Sequence, residues 1–208
     1  QEQATAQAPA AADSGDASPV ELGTAFTPAR DGQITALRFY KGTGNGGTHV
    51  GSLWSPSGGL LARVTFTGET ATGWQEATLP TPVFVMAGQT YVVSYLAPQG
   101  HYAVTSGFFS SAWTAGDLTA PANANGRYLY GSAGGLPIYS YNATNYFVDV
   151  AFQRGSDVSI FGSDTPTTAA VNDNGAIEVG TAFTTSEAGA VTALRFYKGP
   201  LNTGTHVG

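Results

Sequence analysis

The chain of 208 residues has no cysteine, which excludes disulfide staples and any thiolate-held metal. It is also short of charge. Asp, Glu, Lys and Arg make up 11% of the residues, less than half the usual share of about 25%. Only 8 residues are basic against 14 acidic, the formal net charge is −6, and the basic residues are scattered. Phosphate backbones are gripped by clustered Lys and Arg, so nucleic acid is not an expected partner. No apolar run approaches the ~18 residues that cross a bilayer, so membrane insertion is not expected either. The chain opens at Gln1 with neither Met nor an apolar leader, as a processed or cut chain does.

What is present points to β structure. Hydrophobic residues account for 42% and aromatics for 12%, with 28 Gly, 11 Pro and much Thr, Ser and Ala. Such a composition suits a turn-rich β protein with a neutral polar surface. Low charge and absent cysteine fit an extracellular protein, secreted or at the cell surface.

A long repeat organises the chain. The stretch Ala36–Gly51, ALRFYKGTGNGGTHVG, returns at Ala193–Gly208 as ALRFYKGPLNTGTHVG. Aligned without a gap at an offset of 157, Val20–Gly51 and Ile177–Gly208 agree at 21 of 32 positions. Solenoid units are ~20–50 residues long, so this period marks tandem domains and not stacked turns. The expected layout is a linker or disordered tail over 1–16, a complete repeat over 17–156 and the first third of a second repeat over 157–208. The chain then reads as a piece of a longer multi-repeat protein. A competing reading has the partial copy pairing with another chain through its open strand edges. The second copy is preceded by an apolar VSIF segment, Val158–Phe161, that has no equivalent ahead of Val20.

Within the complete repeat, strand and turn signals alternate about every ten residues, the pattern of an all-β antiparallel sandwich of jelly-roll type. Strands are expected at Gln33–Tyr40, His49–Trp54, Leu60–Phe66, Trp74–Leu79, Gln89–Ala97 and Asn145–Phe152. Residues 106–144 are Gly-, Ala-, Asn- and Tyr-rich and read as long loops with one or two short strands. Period-2 alternation buries Leu37 and Phe39 on one strand and Tyr146, Val148, Val150 and Phe152 on another. Arg38 and Asp149 are left facing outward as an ion pair.

The ordered motifs ITALRFYKGTGNGGTHVGSLWS, GWQEATL, YVVSYLAPQGHYA and NYFVDVAF resemble a bacterial, mainly actinobacterial, extracellular family classed as a domain of unknown function. The resemblance covers essentially the whole first copy. It implies a module repeated in tandem within secreted proteins, beside immunoglobulin-like modules and glycan-active enzymes. It supplies no catalytic residues.

No catalytic constellation stands out. The acids of the first copy, Glu21, Asp31, Glu69, Glu76, Asp117 and Asp149, fall mostly in turn-like contexts where solvated carboxylates are expected. A glycosidase needs two of them facing across a sugar. His49 and its twin His206 sit in GTHVG, and His101 in GHYA; with so few ligands His49 reads as a loop cap or a partner for backbone. The expectation is therefore a non-enzyme with no cofactor. Calcium is the one cation the sequence suggests: the Asx-rich loops ADSGDAS and VNDNGA place Asp16 and Asp173 at equivalent positions, although such residues also simply build turns.

Aromatics carry the functional expectation. Trp54 and Trp74 lie in strand patterns and read as core. Trp113, Tyr128, Tyr130, Tyr139 and Tyr141 lie in the loop-rich half, with Asn125, Arg127 and Asn142 among them. Sugar rings stack on Trp and Tyr, while amides and guanidinium groups bond their hydroxyls. These eight residues are the expected site for a polysaccharide or cell-surface glycan. Neighbouring repeats of the same chain are expected partners as well, and the alternative is a structural or adhesive spacer serving length, spacing or chain-to-chain contact, in which the same aromatics would be buried.

Overall fold

A computed structural model describes residues 7–155, 158–173, 175–186 and 189–208. Two compact units emerge, Gln1–Gly155 and Ser156–Gly208. The expected repeat boundary at 156–157 lies outside the described residues, as do residues 1–6 of the expected tail.

The first unit is an antiparallel β-sandwich. Its strands are β1 (Val20–Pro28), β2 (Gly32–Lys41), β3 (Val50–Trp54), β4 (Leu60–Thr65), β5 (Gly73–Val85), β6 (Tyr91–Ala97), β7 (Trp113–Ala115), β8 (Leu118–Ala120), β9 (Gly126–Tyr130), β10 (Tyr139–Ser140) and β11 (Val148–Arg154). One sheet runs β10-β9-β1-β6-β3-β4, with the β7–β8 hairpin attached to β1 through β8. The other runs β11-β2-β5. Among the described residues no helix is long and apolar enough to cross a membrane.

Alternation places the core as expected. Leu37 and Phe39 of β2, Val148 and Val150 of β11 and Tyr146 just ahead of it are buried between the sheets, and Phe152 packs at their margin. Phe39 stacks on Tyr95 with ring centroids 4.2 Å apart. Each such side chain contributes about 1.5–3 kcal/mol of burial.

Strand β1 was not among the expected strands, yet it is central, held between β6 and β9. Val20, Leu22 and Phe26 do alternate inward. Gly23 and Pro28 dilute the signal, and Gly23 is required: a Cβ there would lie 2.7 Å from the Val93 carbonyl oxygen. The loop-rich stretch 106–144 also holds four short strands, not one or two.

Residues 7–16 do not trail free. Ala11 pairs with Val104, Ser14 N–H donates to the Tyr102 carbonyl (2.9 Å) and His101 N–H to the Asp16 carbonyl (2.6 Å). Their polar backbone is satisfied by residues 101–105, which corrects the expectation of a disordered tail for this part.

The second unit repeats the local contacts of the first without its strands. Asn202 N–H donates to the Gly199 carbonyl (3.1 Å), as Asn45 does to Gly42 (3.2 Å). His206 Nε2 sits 2.6 Å from Asn202 Oδ1, and Phe196 packs 4.9 Å from the His206 ring, echoing His49, Asn45 and Phe39. Among its described residues there is no strand, and Val179, Leu194 and Phe196 are exposed. β1 and β2 are held in place by β5, β6, β9 and β11, none of which has a counterpart in residues 177–208. Two stretches that share 21 of 32 positions thus differ in strand form, and the one with strands is the one with partner strands beside it.

Candidate functional site

The outward face of the β11-β2-β5 sheet gathers the chemistry. Arg38 lies opposite Glu76 on one side and Asp149 on the other. Its Nε is 3.2 Å from Glu76 Oε2, without the alignment of a hydrogen bond, and its Nη1 donates to Asp149 Oδ2 at 3.4 Å. The guanidinium lies 5.0 Å over the Trp74 ring, a cation–π contact. Partial desolvation pushes the Asp149 carboxyl upward, although nearly half of its side chain is exposed, and the Val150 N–H and Arg38 oppose the shift while Glu76 assists it.

Trp74 corrects an expectation. It shares parity with exposed Glu76, while Gln75, Ala77 and Leu79 turn inward, so Trp74 is half-buried on the outer face and outside the core. Trp54, by contrast, is buried with its Nε1–H donating to Ser94 Oγ (2.8 Å).

A row of rings continues from Trp74. Phe147 lies 6.4 Å from it, Phe108 6.2 Å from Phe147, and Trp113 5.2 Å from Phe108. Trp113 is 40% exposed at the start of β7. These rings, with Arg38, Glu76 and Asp149, line an open cleft of about 1300 Å³ that wraps around β11.

The hairpin that carries Trp113 is short but anchored. Its loop is Gly116-Asp117, with Gly116 at φ 56°, a two-residue turn opened by a left-handed glycine. Thr114 and Thr119 face each other with hydroxyls 3.0 Å apart. The Asp117 carboxylate accepts a hydrogen bond from Arg154 at the end of β11, and its backbone carbonyl accepts from Ala29 N–H (2.7 Å). Asp117→Ala should therefore cost about 1–2 kcal/mol in urea unfolding and speed amide exchange selectively over residues 113–120. Uniform exchange across the domain would show the anchor to be idle.

The expected tyrosines form a separate group. Tyr128 and Tyr130 of β9 lie 5.7 Å apart, and Tyr139 of β10, opposite Tyr128, is 5.8 Å from it. Tyr130, Tyr139 and Tyr141 are 52%, 55% and 62% exposed, yet none lines the Trp113 cleft. The separation has a topological cause. β8 and β9 both pair with the same edge of β1, β8 at Thr27–Pro28 and β9 at Val20–Thr24.

The three polar companions differ in fate. Asn142 is exposed in a turn at φ 46°. Arg127 is half-buried, with its Nε enclosed and unpartnered among the described residues. Asn125 is wholly buried, and neither atom of its amide finds a partner among the described residues. Close packing of Gly126 against the Thr144 carbonyl draws this stretch inward.

Among the acids, Glu76 and Asp149 stand in strands expected from the sequence, whereas Glu21 stands buried in β1 and not in a solvated turn. Asp16 Oδ1 accepts from Ser18 N–H (2.9 Å) and its Oδ2 from the Tyr130 hydroxyl (2.6 Å), which holds its pKa below the ordinary value. Asp173 accepts from Gly175 N–H (2.9 Å), the equivalent turn. Among the described residues no three His, Cys, Asp or Glu side chains gather as a metal site.

His49 caps no backbone. It is fully buried, with Nδ1 2.8 and 3.0 Å from the Glu69 oxygens and Nε2 2.9 Å from Asn45 Oδ1. Asn45 Nδ2 donates to the Tyr95 hydroxyl (3.1 Å), and Lys41 Nζ to Glu69 Oε2 (2.6 Å). Burial lowers the His49 pKa against the pull of Glu69.

A family model described as Domain of unknown function (DUF4082) matches residues 6–148 and 163–208. The chain belongs to the DUF4082 family. Both matched segments start at equivalent positions of the repeat, since 6 and 163 differ by the offset of 157. The DUF4082 domain of the first unit therefore includes the ordered segment that follows residue 6, along with the sandwich. No curated protein and no solved structure matches the chain.

Proposed function

We propose that the first unit is a non-catalytic carbohydrate-binding module of a bacterial secreted or cell-surface protein, and that the Trp113 cleft is its binding site. One observation carries the reading. A partly exposed Trp113 stands in a line of rings that ends beside Arg38, itself flanked by Glu76 and Asp149. Ring faces take the C–H surfaces of a sugar, and the guanidinium and carboxylates bond its hydroxyls. The cleft is large beside the usual 300–1,000 Å³ small-ligand pocket and open along its length, which suits a chain more than a single ring. Tandem copies would add avidity to weak single sites.

Affinity electrophoresis through gels containing a panel of soluble polysaccharides tests the proposal. At least one should retard the protein, and Trp113→Ala should restore free mobility while changing stability by less than about 1 kcal/mol, as an exposed site allows. Equal mobility across the panel, for both proteins, would leave the spacer repeat as the better account.

A further inference from the structure

The loop that joins β9 to β10, residues 131–138, lies over the outer face of the larger sheet. Gly131 N–H donates to the Pro19 carbonyl (2.9 Å), Pro137 lies over Gly23, and Leu136 packs against Ala25, Trp54 and Val92. Beneath the loop is the buried carboxyl of Glu21. Ser94 Oγ–H donates to Glu21 Oε1 (2.5 Å), Trp54 Nε1–H donates to Ser94 Oγ (2.8 Å), and the Gly135 N–H bonds the same carboxyl. Gly134 is so close that a Cβ there would stand 2.7 Å from Oε2, which leaves no room for water between loop and acid.

Few charges face this acid. β3, β6 and residues 131–138 contain no charged side chain. β4 brings Arg63, whose Nε donates to Ser52 Oγ (3.3 Å) and whose charge favours the ionised acid, and β9 brings Arg127, opposite Gly23. The tyrosines of β6 and β9 pair with Val20, Leu22 and Phe26 and so take the inner parity. Burial outweighs these partners, and the Glu21 pKa rises from 4.5 to about 7. An ionised carboxylate under the shut loop would lack the water that stabilises it. The loop is lightly held: Gly131, Gly134 and Gly135 take φ of 136°, 67° and 143°, and β10 beyond them pairs with β9 at two positions only. The second copy repeats the acid at the equivalent position, Glu178.

We propose that residues 131–138 form a pH-operated latch, shut over Glu21 while that carboxyl keeps its proton and lifted from the sheet when it ionises. Opening admits water to the carboxylate, uncovers Trp54 and frees β10, which carries the exposed Tyr139. With the acid at about 7 under the shut loop and near 4.5 once hydrated, the opening constant rises about 70-fold between pH 5 and pH 8.5. None of residues 131–138 lines the Trp113 cleft, so the latch holds or fails independently of the glycan reading.

The test is hydrogen exchange of the full chain at pH 5 and pH 8.5, corrected for the intrinsic rates and read at the Gly135 amide, the Trp54 indole N–H and the β6 amides of Val93 and Tyr95. Opening at Gly135 and Trp54 should rise at least tenfold with pH, while the β6 amides stay at least tenfold better protected. A smaller rise overturns the proposal. So does equal protection of loop and β6, which would mean that the loop opens only when the whole domain unfolds. Glu21→Gln should abolish the rise, and a rise that persists in it is equally contrary. Should that variant fail to fold, the ¹³C shift of the Glu21 side-chain carboxyl in the unaltered chain replaces it: its titration midpoint must coincide with that of the exchange, and separate midpoints overturn the latch.

Discussion

Between pH 4.5 and a little above 7 the first unit should lose about 3 kcal/mol of stability through a single carboxyl, that of Glu21, whose pKa is raised from 4.5 to about 7. Desolvation is the leading cause. Glu21 lies on the outer face of β1, where Ser94 Oγ–H donates to its Oε1 at 2.5 Å and Trp54 Nε1–H donates to Ser94 in turn. Gly134 closes over it so tightly that a Cβ there would stand 2.7 Å from Oε2. The folded state holds a proton that the unfolded chain has released, so the contribution is complete below pH 4.5 and is lost as pH rises through the folded value. His49, with its pKa lowered by burial, acts oppositely below 6.5. The wild-type curve also carries Asp149, raised, and Asp16, lowered, so it is the difference from Glu21→Gln that isolates the carboxyl. Urea unfolding at pH 5 and pH 8.5 should show that Glu21→Gln gains about 2.5 kcal/mol on wild type between the two, part of the loss having already occurred at pH 5. A constant difference would mean that Glu21 ionises as freely when folded as when unfolded.

Removal of one imidazole should do more damage than any surface change. His49→Ala leaves Asn45 and Glu69 facing an empty space and strips a ring from the Phe39–Tyr95 stack, at a cost of about 3–4 kcal/mol. The same substitution at His206 should change stability by less than about 0.5 kcal/mol, because that ring is exposed. Chemical denaturation of the two variants side by side decides the point. Equal losses would show that the second unit is packed as firmly as the first.

Alternation made much of the sandwich legible. Leu37 with Phe39, and Val148 with Val150, declare their buried faces, and the same rule left Arg38 and Asp149 outward, where they pair at 3.4 Å. Parity was misread where a large ring dominated it: Trp74 draws the eye inward, but register with β2 puts it beside Glu76 and outside. The two aromatic groups could not be separated from sequence, since their distance depends on which end of β1 each strand takes. The hairpin of Trp113 was within reach, because Gly116-Asp117 between alternating Thr and Ala residues is a turn signal. Burial of Glu21 was not, for its cover comes from a loop more than a hundred residues away. The repeat shows the limit most plainly: 21 shared positions in 32 specify the Asn–His contact twice and the strands once.

The glycan cleft is tested most directly by the three tryptophan indole N–H resonances, followed during titration with each soluble polysaccharide of a broad panel. Trp54 is sealed and bonded to Ser94, so it is an internal reference. With a cognate glycan, the Trp113 and Trp74 signals should shift in proportion to added polysaccharide while Trp54 stays fixed. If no polysaccharide moves Trp113 or Trp74, or if a bound glycan shifts only tyrosines of β9 and β10, the cleft is not the binding site.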